Sequence, residues 1–145
     1  MSDILSPSAV VAAGTATTRE AAILEAGGIL VGSGAVRADY VDSMLKRENT
    51  VSTYMGNLLA IPHGTNEAKD SITRSAISLV RYENPIDWGG EPVRFVLGIA
   101  GLNNEHLDIL AKVAVLFSDE DDVRRLAEAG DAAELYRQLS EVNAE

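Results

Sequence analysis

Cysteine is absent from this 145-residue sequence. Its absence excludes disulfides, thiolate metal sites and a cysteine nucleophile, and it leaves the redox character of the compartment open. Aromatic residues are scarce, at 5% of the chain, and so are cations: 12 lysines and arginines face 22 aspartates and glutamates, for a formal net charge of -10. A field of that sign repels phosphate backbones, which sets nucleic acid aside as a partner and favours a protein with a basic face. No uncharged apolar run approaches the roughly 20 residues of a membrane-spanning helix, and Met1 to Val11 carry neither a basic flank nor a continuous apolar stretch. The expectation is a protein that does not insert in a membrane and works in the cytoplasm.

Apolar residues make up 46% of the chain, enough for a real core, and residues 1–145 are expected to form one domain. Thr17 followed by Glu20 has capping-box spacing and predicts a helix beginning there, carrying Ile23, Leu24, Leu30 and Val31 and ending near Gly32 to Gly34. Tyr40, Val41, Met44 and Leu45 predict an amphipathic helix over 37–48, whose last turn holds Lys46 and Arg47 at the negative end of the helix dipole. Leu58 to Ile61, Ala76 to Tyr82 and Val93 to Ala100 read as strands. Two of these runs are almost continuously apolar, which places them in a sheet covered on both faces. Asn84-Pro85 and Trp88 to Pro92 read as the connection between the last two strands. Further on, Asn103 is a candidate N-cap for a helix whose Leu107, Leu110, Ala111, Ala114 and Phe117 would be buried. Another helix through Val123 and Leu126, and a last one opened by Asp131 and Glu134, complete the pattern.

The candidate chemistry rests on two histidines. Zinc sites take three or four His, Cys or carboxylate ligands, and Glu105-His106 lacks the two-histidine spacing of a metalloprotease, so no metal is expected. Gly28, Gly32 and Gly34 lack the lysine of a phosphate-binding loop and read as turn-formers. Asp119 to Asp122 lack the alternation of a calcium loop and read as helix-start charge. His63 follows an apolar strand in Ile61-Pro62-His63-Gly64, where open α/β sheets present reactive groups, and a mostly neutral imidazole can attack an electrophile. A histidine in a simple turn explains the same tripeptide. His106 falls in the first turn of a predicted helix, where an anion is favoured; a surface histidine without a role explains it equally.

Taken in order, Arg47-Glu48, Ser52-Thr53-Tyr54-Met55-Gly56-Asn57, Ile61-Pro62-His63-Gly64-Thr65 and Asn103-Asn104-Glu105-His106 resemble the mannitol/fructose class of enzyme IIA. This is a component of the bacterial phosphoenolpyruvate-dependent sugar phosphotransferase system, and the mannitol type is the nearer likeness, over about Thr17 to Leu139. The resemblance implies an α/β fold with a central mixed β-sheet flanked by helices on both faces. It implies that His63 accepts a phosphoryl group from HPr and passes it to an enzyme IIB, alone or within a IIBC permease, with no cofactor. Arg47 would be the cation nearest the phosphorylated imidazole and His106 a second imidazole facing it, both stabilising phosphate. In the mannitol branch the receiving IIB uses a cysteine, so a chain without one is expected to be a free-standing IIA. Leu58 stands where a small residue is expected and Asn57 where mannitol members can carry an acid. The runner-up is a regulatory nitrogen-type IIA acting through protein contacts; a non-phosphorylated domain like that of some anion exchangers is disfavoured by the intact Pro62-His63-Gly64.

Overall fold

The computed structural model describes residues 4–102 and 105–143. Its elements run β1 (Val10–Val11), α1 (Arg19–Gly32), α2 (Asp39–Thr50), β2 (Tyr54–Gly56), β3 (Leu59–Ala60), β4 (Ala76–Trp88), β5 (Glu91–Ala100), α3 (Glu105–Leu116), α4 (Glu120–Glu128) and α5 (Ala132–Leu139). The strands form one five-stranded sheet in the order β1-β4-β5-β3-β2. β1 runs parallel to β4 and β3 parallel to β5, while the β4-β5 and β2-β3 pairs are antiparallel. This is the expected mixed sheet.

Strand periodicity divides its side chains between two cores. Ile77, Leu79, Phe95, Leu97 and Ile99 meet Ile109, Val113 and Phe117 of the α3 segment, together with Val123, Leu126, Leu135 and Leu139 of α4 and α5. Phe95 and Phe117 meet edge to face, 5.6 Å between centroids. Ala76, Val80, Tyr82, Val96 and Ala100 face the other way, onto Ala22, Ile23, Ala26 and Leu30 of α1 and Tyr40 and Met44 of α2. Helices therefore cover both faces, which is why β4 and β5 tolerate nearly unbroken apolar runs.

Several local expectations are corrected. The N-cap of α1 is Thr18, whose hydroxyl accepts from Ala21 N–H at 3.2 Å, so the capping-box spacing from Thr17 points one residue too early. Gly28 and Gly32 are helical rather than turn-forming; of the three glycines only Gly34 adopts a positive φ, +79°. β4 does not stop at Tyr82 but continues through Asn84-Pro85 to Trp88, and the register shifts between Arg81 and Ile86. That irregularity accommodates a proline, which has no N–H to give the ladder. In α3 the expected buried stripe is half wrong: Phe117 is buried, but Leu107, Ala111 and Ala114 are exposed, Leu107 at 67%. Ile109 and Val113 face the sheet instead. Apart from Glu105, His106, Asp108 and Lys112, α3 is apolar around most of its circumference, so its sequence left open which apolar stripe turns inward. The Asn103 cap lies outside the described residues.

Asp119 and Asp131 cap α4 and α5, accepting from Asp121 N–H at 2.7 Å and Glu134 N–H at 2.9 Å. Arg81 reaches from β4 to the C-terminal end of α4, donating to Leu126 O at 3.0 Å and Ala129 O at 2.6 Å. Among the described residues no helix is long and apolar enough to cross a membrane.

Candidate active site

Beyond β3 the chain stays buried through Ile61 and Pro62. His63 then pairs with Ile99 near the end of β5 in an isolated parallel bridge, and Ile99 N–H donates to Pro62 O at 3.0 Å. The His63 ring is oriented by its own strand: Nδ1 lies 2.9 Å from Ile61 O. A carbonyl only accepts, so Nδ1 carries the proton and Nε2 is left with the lone pair.

The half-buried His63 ring opens on a cleft of about 490 Å³ that Tyr40, Arg47, Lys69, His106 and Leu107 also line. His106 enters from the first turn of α3, with its ring centroid 5.1 Å from that of His63 and the planes 69° apart. Gly101 allows that approach, since a Cβ there would fall 2.6 Å from His106 Cα. Arg47 comes from the last turn of α2, where its Nη1 donates to Val51 O at 2.7 Å. The structure therefore brings all three candidate residues, from α2, the β3 exit and α3, to one cleft. Arg47 also bonds a carbonyl just past its own helix, as a cation at a helix end does.

Burial holds the His63 imidazole below its ordinary 6.5; the Ile61 hydrogen bond opposes this, the Arg47 charge adds to it and the Glu48 charge opposes it. Burial lowers His106 as well, with His63 contributing. Both rings are thus kept neutral at pH 7, the form in which a nitrogen lone pair can attack.

Sequence reading missed parts of this site. Glu48 is buried, at 4% exposure, and its carboxylate accepts from Thr53 N–H at 2.8 Å, Thr53 Oγ1 at 2.6 Å and Trp88 Nε1 at 3.1 Å. Its most distant partner stands 40 residues away, and no local pattern announces that. Lys69 reaches the cleft from a 3-10 segment, Asn66–Ser71, that had no periodic signature. Gly64 answers a need for close approach: a Cβ there would lie 2.4 Å from Tyr40 Cε1 and 2.5 Å from Ser43 Oγ. No group of three or more His, Cys, Asp or Glu side chains placed to hold a metal ion occurs among the described residues.

Comparison with known proteins agrees with this arrangement. The sequence model of the family described as phosphoenolpyruvate-dependent sugar phosphotransferase system, EIIA 2, matches residues 3–142. The mannitol-specific phosphotransferase enzyme IIA component of Halalkalibacterium halodurans is 48% identical over 140 residues, covering 97% of each chain. That of Bacillus subtilis is 44% identical over 130 residues, 89% of this chain and 91% of the relative. Among solved structures, the complex of mannitol enzyme IIA and phosphorylated enzyme IIB from Escherichia coli superposes with a TM-score of 0.86 at 34% identity, over 92% of this chain and 94% of the other. The nitrogen regulatory protein IIA-Ntr of Neisseria meningitidis gives 0.81 at 27% identity, over 94% and 96%. With a paired-histidine cleft at the strand ends and a match over nearly its whole length, the chain belongs to the EIIA 2 family of the phosphoenolpyruvate-dependent sugar phosphotransferase system.

Proposed function

We propose that this chain is a cytoplasmic, single-domain phosphocarrier that takes a phosphoryl group from phospho-HPr onto Nε2 of His63 and passes it to an enzyme IIB of the mannitol type. The observation that carries this reading is the hydrogen bond from His63 Nδ1 to Ile61 O, which leaves Nε2 as the nucleophilic nitrogen of a neutral ring beside Arg47 and His106. In the first transfer the Nε2 lone pair forms a bond to phosphorus while the bond to the donor breaks, its electron pair returning to HPr. In the second the N–P bond breaks and the phosphoryl group moves to the nucleophile of IIB. Arg47 and His106 stabilise the charge on the equatorial oxygens, and the protein's contribution is position and field. A regulatory role as a nitrogen-type IIA has weaker support, since 48% identity to a mannitol-specific relative stands against 27% to the nitrogen regulatory protein.

The test is phosphorylation by purified enzyme I, HPr and phosphoenolpyruvate, with the product mapped under non-acidic conditions. His63→Ala is expected to abolish labelling; continued labelling at a normal rate refutes the assignment. His106→Ala and Arg47→Ala are expected to accept phosphate and exchange it about 100-fold more slowly. Draining of the label by a mannitol IIB, and not by IIB proteins of other sugars, tests the proposed receiver.

A further inference from the structure

Parallel pairing of His63 with Ile99 calls for two hydrogen bonds: Ile99 N–H to Pro62 O, and Gly64 N–H to Ile99 O. The first is present at 3.0 Å. Between the two groups of the second stands a side chain. The Tyr40 hydroxyl accepts from Gly64 N–H at 2.8 Å and donates to Ile99 O at 2.8 Å. We infer that Tyr40 is a positioning residue for phosphoryl transfer, a hydroxyl wedge that sets how far the His63 segment stands off β5.

Three observations converge on this. Tyr40 is 2% exposed, so its hydroxyl has no bulk water to trade with, and both of its hydrogen-bonding roles are spent on backbone groups flanking the nucleophile. Burial pushes its hydroxyl pKa up, so the proton that bonds Ile99 O is retained. The ring fills the space where a side chain at residue 64 would sit, with a Cβ there 2.4 Å from Cε1. Tyrosine at 40 and glycine at 64 are thus a matched pair, 24 residues apart, that fixes the backbone on the C-terminal side of His63. The Ile61 carbonyl orients the ring, and Tyr40 holds the main chain from which that ring projects.

Removing the hydroxyl leaves Gly64 N–H and Ile99 O to close on each other or to go unpaired. Either change moves the His63 main chain by a fraction of an ångström to an ångström, and displacements of that order cost up to about 100-fold in rate when position is the main catalytic device. The inference rests on His63 being the phosphoryl acceptor.

The experiment compares wild type with Tyr40→Phe in single-turnover transfer from phospho-HPr, with Gly64 amide exchange followed by NMR. Thr18→Ala, which removes a helix cap on α1, serves as a control for general destabilisation. Expected for Tyr40→Phe are a rate at saturating HPr at least about 10-fold lower, half-saturation within about twofold of wild type, and faster Gly64 amide exchange, with Thr18→Ala transferring normally. A folded Tyr40→Phe protein with a wild-type saturating rate overturns the inference, as does an equal slowing in Thr18→Ala. Gly64→Ala presses the same contact from the other side. If Tyr40→Phe does not fold, a saturating-rate loss in Gly64→Ala supports the wedge and an unchanged rate overturns it. A wild-type protein labelled elsewhere than His63 overturns the underlying assignment instead, and the wedge with it.

Discussion

At the scale of single residues, the two imidazoles of the cleft link function to stability. Burial holds both His63 and His106 below 6.5, so the unfolded chain binds protons there more readily than the fold does. The stability they contribute is therefore complete above about pH 6.5 and lost as pH falls through the folded values. Thermal unfolding between pH 8 and 5 is expected to show a decline setting in near 6.5 that a His63→Gln/His106→Gln double variant flattens. Parallel profiles for the two proteins would contradict the burial argument. The Glu25 carboxyl behaves differently. Burial raises it, but the Tyr82 hydroxyl at 2.6 Å and donors from Thr15 and Ala16 outweigh burial and hold it below 4.5. Its contribution is present above that value and fails only in stronger acid, so the two losses occupy separate windows. The same neutral His63 is expected to keep accepting phosphate somewhat below pH 6.5, where a solvent-exposed imidazole would already be charged.

At the scale of elements, caps and helix contacts decide where segments begin and how they pack. Thr18→Ala removes the hydroxyl that satisfies Ala21 N–H and should cost about 1 kcal/mol. Thr17→Ala, one residue before the cap, should cost close to nothing, and denaturant midpoints of the two variants test the assignment directly. α1 also explains why its glycines are not equivalent. A Cβ on Gly27 would crowd Val41 at 3.0 Å and the Met44 sulfur at 3.1 Å, whereas one on Gly28 would meet nothing within 4 Å. Gly27 lets α1 and α2 lie close, which seats Tyr40 and Arg47 toward the cleft. The β2-β3 turn carries a cost that its sequence announces: Asn57 and Leu58 have φ of 50° and 69°, a pair of left-handed residues. Asparagine suits that region and leucine does not, which gives a physical reason to expect a small residue at 58.

For the whole molecule, the net charge of -10 acts on encounter rather than on chemistry. The second-order rate constant for reaction with a basic phosphoryl donor is expected to fall about 10-fold as ionic strength rises from 0.01 to 0.1 M, while the Debye length shrinks from about 30 to about 10 Å. The rate at saturating donor should not change. Stopped-flow measurements across that range check this, and a flat second-order constant would mean that local contacts, not the overall field, govern association. The fold itself is tied at its ends by Asn143, whose side-chain oxygen accepts from Ile4 and Leu5 N–H, each at 2.9 Å, and whose amide donates to Leu5 O at 2.9 Å.

Local composition determined much of this protein. Apolar runs at 76–82 and 93–100 required a sheet covered on two faces, aspartates at 119 and 131 opened helices, and only two histidines were available for chemistry. These are short-range matters of periodicity, propensity and capping, and neighbouring residues suffice to state them. Tertiary structure decided what depends on residues distant in sequence: which apolar stripe of α3 turns inward, that Glu48 is buried with Trp88 as a partner, and that Tyr40 stands between Gly64 and Ile99. Such outcomes follow from packing and from the need to pair every buried polar group, and neither can be evaluated until the partners have been brought together.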